Sequence, residues 1–291
     1  MRQPPATTAL SLTLALVLAA TAAHAQCSDA GLCLVGDHAT RVTADHASPQ
    51  HTADLTYRLG VTGDDDDLVV HSVELGARLA LTDRTGLAIR LPYRSSDGEQ
   101  GSASGPGDAL VLLEQAIVTS PCWTLGLAAG ARLATGDDDA EPDLPQAYQP
   151  GLGATDLILA ATARHRAWSF ALGYQLVEDT FTGNETTPIR RGDDLYLQVA
   201  RAFTAGGFDL TAEVQAIQRL AATEIRLADD TTIEVEDSDR LQINLGLEAR
   251  RSLIGRLDLA AGVAVPLVSR DQNVDGLQRA LTVSVGLATG F

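Results

Sequence analysis

The chain has 291 residues, enough for one large domain or two ordinary ones, and a formal net charge of −17 carried by 38 acidic residues against 21 basic ones, all of them Arg. Such acidity argues against a nucleic-acid partner, because phosphate would be repelled. Hydrophobic residues make up 45% of the chain, yet beyond the leader no apolar run reaches the ~20 residues that a membrane helix needs.

In chain order, Met1 and Arg2 supply a short positive end, Ala9 to Ala23 an apolar run, and Ala23-His24-Ala25 a small-x-small cleavage site. Residues 1–25 therefore read as a secretory signal, with Gln26 as the first mature residue. An exported chain meets an oxidising compartment, so Cys27 and Cys33 in "CSDAGLC" are expected to close a small disulfide loop, which leaves Cys122 over. No His stands at a ligand-like spacing from these cysteines, and no metal or other cofactor is expected. Residues 26–51 show little alternation and are expected outside the barrel wall, as a plug or a periplasmic segment.

From residue 52 onward one pattern repeats. "ADLTYRLGV" (53–61), "VVHSVELGARLAL" (69–81) and "GLAIRLPYR" (86–94) alternate apolar with polar residues at period two, the signature of strands. Further alternating runs begin at Trp123, Trp168, Asp194, Phe208, Arg240, Arg256 and Ala280, with blurred ones at 108–119 and 154–164. The count is about twelve strands, each close to the ~9–11 residues of a tilted membrane strand.

The connections alternate in length. Short turns are expected at 82–85, 120–122, 165–167, 204–207 and 251–254, and longer polar loops at 62–67, 96–107, 135–153, 179–192, 220–238 and 269–276. Bacterial outer-membrane barrels have short periplasmic turns and long outer loops. The expected fold is all-β: an antiparallel transmembrane β-barrel of about twelve strands over residues 52–291. Trp123, Trp168 and Phe291 would then anchor the periplasmic membrane interface, where aromatic rings sit well. The terminal strand ending on Phe291 resembles the signal that delivers such barrels to their assembly machinery.

The face opposite the Leu, Val and Ala residues is rich in charge. Glu74, Arg78, Arg90, Glu114, Arg132, Asp156, Glu213, Arg240, Glu248, Arg256 and Asp258 are expected to line a polar lumen, with the arginines meeting the acids because a lone charge at membrane depth is expensive. The runs "GDDDD" (63–67) and "GDDDAEPDLP" (136–145) lack an EF-hand spacing and read as solvated loop faces. "GLGATD" (151–156) lacks the strand–helix setting of a dinucleotide loop.

Thr135-Gly136-Asp137, the Gly151, Gly153 and Asp156 stretch, "LGYQ" (172–175) and "GDDLYLQVA" (192–200) resemble motifs of the outer-membrane barrel family named after the meta-cleavage pathway of phenol degradation. Ala134 stands where that family carries Pro. The resemblance covers mainly 123–291 and implies a barrel that takes up small solutes, apolar or aromatic ones included; it supplies no catalytic residues. No enzyme is expected, because His71 and Ser72 are adjacent and so face opposite sides of a strand. The reading is an outer-membrane channel or transporter in contact with lipid and lipopolysaccharide. The competing reading is a non-transporting structural or adhesive barrel whose acidic loops bind partners.

Overall fold

A computed structural model describes residues 51–62, 68–270, 272, 274–276 and 279–291. The expected signal, the Cys27–Cys33 loop, residues 26–50 and the acidic run 63–67 lie outside the described residues.

Among the described residues sixteen strands occur in chain order: β1 (Thr52–Val61), β2 (Val69–Ala80), β3 (Thr85–Gly98), β4 (Gly101–Pro106), β5 (Ala109–Thr119), β6 (Trp123–Leu133), β7 (Asp156–His165), β8 (Trp168–Leu176), β9 (Ile189–Arg190), β10 (Asp194–Ala205), β11 (Phe208–Arg219), β12 (Glu224–Arg226), β13 (Thr232–Glu234), β14 (Gln242–Ile254), β15 (Leu257–Val268) and β16 (Leu281–Gly290). Each barrel strand pairs antiparallel with its neighbours. β1 pairs with β16 on one side and β2 on the other, and the β2–β3 pairing closes the ring. β3 pairs with β5 along its first half and β4 along its second, so β4 and β5 act as one bent strand. The wall is therefore a closed, twelve-strand antiparallel barrel. Closure leaves no strand edge unpaired, the condition for a sheet to cross a bilayer. The small β9, β12 and β13 form a separate sheet at the long-loop end.

Four expected boundaries move. The stretch 96–107 is mostly the β3–β4 hairpin rather than a loop. "RSLI" (251–254) belongs to β14, and the turn is Gly255–Arg256, where Gly255 has φ +60°. β14 starts at Gln242 rather than Arg240, and β15 at Leu257 rather than Arg256.

The outer face carries large, exposed apolar side chains such as Leu55, Leu75, Leu127, Leu159, Leu172 and Leu197. An exposed belt of this size marks a surface built for an apolar environment. Aromatic residues gather at its short-turn end. Trp123, Trp168, Phe170, Phe203 and Phe208 stand exposed toward the short-turn end, with Arg201 over Trp168 and Arg251 over Phe208, each at 5.3 Å. Phe291 stacks on His51 with ring centroids 5.7 Å apart, and its N–H donates to the His51 carbonyl.

The inner face differs from the expected, uniformly polar lining. One arc carries a buried apolar belt of Ala88, Leu110, Leu112, Ile158, Ala160, Ala171, Tyr196 and Ile217, contributed by β3, β5, β7, β8, β10 and β11. The opposite arc is polar, with Thr56, Ser72, Gln242, Asn244 and Thr282 buried.

Candidate functional site

The register places the charged residues. Asp54 on β1 faces Gly76 on β2, and Gly76 faces Arg90 on β3. A Cβ at position 76 would lie 2.6 Å from Asp54 Oδ1, so the missing side chain lets the Arg90 guanidinium cross one strand and reach Asp54. The Arg90–Asp54 pair is 2.5 Å long, and Arg90 also meets Glu74 at 3.3 Å. Arg78 likewise crosses β3, beside Gly86, and meets Glu114 at 2.5 Å. Arg58 meets Glu74 at 3.4 Å.

A second group lies at the long-loop end. Asp156 of β7 is fully buried, and its Oδ2 alone accepts from Arg132 Nη2, from Gln175 Nε2 at 2.5 Å and from Arg191 Nη2 at 2.9 Å. Beside it, Arg219 of β11 donates to Asp194 at 3.2 Å and to Asp275 at 2.8 Å, and Arg270 approaches Asp194 at 3.5 Å. Arg191, Arg270 and Asp275 come from loops, whereas Arg132, Asp156, Asp194 and Arg219 belong to the wall. Buried ion pairs thus tie the loops to the barrel. Burial alone would raise the Asp275 carboxyl, but Arg219, then Arg191 and Arg270, hold it well below the usual carboxylate range.

The loop between β6 and β7 forms a cap. Both its limbs are held by one carboxylate: Asp108 accepts from the Gly136 N–H at 3.0 Å and from the Leu152 N–H at 2.9 Å. Its middle folds inward, and residues 146–152 are buried. Leu144, Ala147 and Tyr148 pack on Leu68, Val70 and Ala103. Gln146 donates to the Gly151 carbonyl at 2.7 Å and accepts from the Asn184 N–H at 2.8 Å, joining the cap to the β8–β9 loop. Arg94 of β3 donates to the Ala147 and Gly276 carbonyls, each at 3.1 Å, joining it to the β15–β16 loop.

Among the expected lining residues, the geometry brings together Arg78 with Glu114, Arg90 with Glu74, and Arg132 with Asp156. Glu213 accepts from Gln198 and Gln215. Glu248 meets Arg250 two residues along its own strand, and Asp258 accepts from Ser252. Two expectations are corrected. Arg256 lies exposed in the β14–β15 turn, and Arg240 lies exposed before β14, paired with Asp237 at 2.9 Å. Trp123 and Trp168 stand exposed on the outer face, each at a strand start. Arg191, Arg219, Arg270 and Asp275 join the site without a place among the residues expected from the sequence. Arg219 continues the inward parity of Glu213, Gln215 and Ile217, a usable signal; the other three sit in loops, where no periodicity marks them.

The fold is shared with a solved structure. The COG4313 outer membrane channel from Pseudomonas putida F1 superposes with a TM-score of 0.66 over 86% of this chain and 99% of that one, at 16% identity. The chain has the fold of an outer-membrane channel. The KdgM porin (TM-score 0.46, 10% identity, 82% of this chain and 99% of that one) and the translocator domain of the autotransporter NalP from Neisseria meningitidis (0.47, 11%, 98% and 97%) are more distant barrels. No family model and no curated protein matches the sequence.

Proposed function

We propose that the protein is a channel of the bacterial outer membrane that passes small solutes, with the inward-folded cap as its narrowest zone. The observation that carries this reading is the pairing of an apolar outer belt with an inner face of bridged charges, closed at the long-loop end by loops held through buried ion pairs. Lipid and lipopolysaccharide would contact the outer face. The charged inner residues of β2, β3, β5 and β7 would line the path, and the apolar arc suits solutes with an apolar or aromatic body. That solute class agrees with the resemblance to the meta-cleavage pathway family. Twelve strands lie between the ~8 whose interior is filled by side chains and the ~16–18 that leave an open pore, so a narrow path is the expected outcome.

Solute-dependent swelling of liposomes containing the purified barrel tests the reading. Swelling in small neutral and amphipathic solutes, and none in large oligosaccharides, is expected. Folded, inserted barrel that admits no solute of any size would favour a structural or adhesive barrel instead.

A further inference from the structure

We propose that Arg132, Asp156, Gln175 and Arg191 form a solute-binding subsite in the lumen that takes a small hydroxy acid with an apolar body; the proposal rests on the channel reading above. Three donors converge on Asp156 Oδ2. Asp156 Oδ1, Gln175 Oε1, Arg191 Nη1 and Arg132 Nε, all buried, are left without a hydrogen-bond partner. The four residues are themselves 0–5% exposed. Buried polar groups in folded proteins are overwhelmingly paired, because an unfilled donor or acceptor loses its water and gains nothing in return. Four unfilled positions on one cluster mark a place where a partner belongs.

The unfilled positions describe that partner. Two are guanidinium N–H groups, so the ligand presents acceptors. Two are a carboxylate oxygen and an amide oxygen, so it also presents a donor. The four side chains carry two positive charges and one negative charge, which favours an anionic acceptor, and the planar guanidinium of Arg191 suits a carboxylate. A hydroxyl is the matching donor. An inorganic anion would leave Asp156 Oδ1 and Gln175 Oε1 unfilled, and a metal cation would face two guanidinium groups.

The rest of the ligand is set by the belt beneath. Ile158 follows Asp156 by two residues on the same face of β7 and lies opposite Gly130 and Gln175. Tyr196 on β10 lies opposite Gly173 and Ile217. Ile158, Leu112 and Tyr196 thus form a buried apolar surface next to the polar cluster. Arg191 belongs to the segment between β9 and β10 rather than to the wall, so displacement of that segment would open the subsite to solute.

Equilibrium dialysis of the folded full-length barrel in detergent, with three labelled probes, tests the assignment. Mandelate has the carboxylate, the hydroxyl and an apolar ring. Phenylacetate lacks the hydroxyl, and benzyl alcohol lacks the carboxylate. Mandelate is expected to bind at least tenfold more tightly than either. Arg191→Gln and Gln175→Met should each weaken mandelate at least tenfold, with Arg226→Gln, exposed on the small sheet at the long-loop end, as the control. Heat-modifiable gel mobility reports folding, and if Arg191→Gln does not fold, Gln175→Met carries the test. Equal binding of the three probes, or none to folded wild type, overturns the subsite. Dialysis reads binding whether or not the barrel conducts. Conduction without mandelate binding therefore sinks the subsite alone, and mandelate binding without conduction sinks the channel reading alone.

Discussion

Gly76 shows how closely single residues set the inner face. Alanine there would press on the Arg90–Asp54 pair, and Arg90 is only 3% exposed. Separating a buried pair leaves a charge uncompensated, at a cost of roughly 3–5 kcal/mol. Gly76→Ala removes neither charge, and Arg90 keeps Glu74 as a second partner, so the change should cost about 1–3 kcal/mol, the usual range for overpacking, in urea titrations of the micelle-embedded protein. A loss under about 0.5 kcal/mol would mean that the pair shifts aside without strain. Alternation in the sequence was enough to assign Arg90 and Glu74 to one face, because period two is a property of the strand itself. It could not name Asp54 as the principal partner, which depends on the pairing register and on a glycine in the strand between them. It also misplaced Arg256, since the alternation of "RLDL" runs on through the turn that Gly255 makes. Arg240 failed for the related reason that its parity matches Gln242 and Asn244 although the strand starts after it.

At the scale of elements, the cap was the least legible part. Its first half is acidic and reads as solvated, and Asp137, Asp139, Glu141 and Asp143 are indeed exposed. The inward fold of 146–152 depends on Asp108, Arg94 and Asn184, which lie on other elements, so no local pattern announces it. The Asp275 carboxyl holds its proton less tightly in the fold than in the unfolded chain, where ~3.9 is usual. Its stabilisation is therefore complete above about pH 4 and fades only as pH falls through the lower folded value. Ion conductance should be flat between pH 7 and pH 5 and rise only below about pH 4, and Asp275→Asn should show the raised conductance already at pH 7. An Asp275→Asn protein with unchanged conductance at pH 7 would show that this pair does not hold the loop. Asp138 behaves oppositely. Burial, then the neighbouring Asp108, Asp139 and Asp137, pushes its carboxyl above the usual range. Ionised Asp138 thus opposes folding at neutral pH, and Asp138→Asn should raise the thermal midpoint at pH 7, with the gain vanishing in acid as the wild-type carboxyl takes up its proton. A lowered midpoint would contradict it.

For the molecule as a whole, strand number, turn asymmetry and the outward apolar face followed from the sequence, because each is a repeat that a closed sheet imposes on every strand. The apolar arc inside did not, since Leu112, Ile158 and Tyr196 are apolar residues at inward positions and reverse the usual contrast. The outward face offers its own check. Leu159 is 59% exposed near the middle of β7. In water, Leu159→Arg would be close to neutral; on a lipid face near the bilayer midplane it should cost roughly 2–4 kcal/mol, measurable as folding free energy in lipid bilayers. A neutral result there would place β7 against water.

The most direct test of the central claim, a solute path narrowed by an inward-folded cap, is single-channel recording in planar bilayers of wild type beside a variant in which residues 138–149 are replaced by a short Gly-Ser linker. Small, discrete steps are expected from wild type and steps several times larger from the variant, with both proteins folded by heat-modifiable mobility. Folded barrels whose steps are identical, or absent from both, would contradict it.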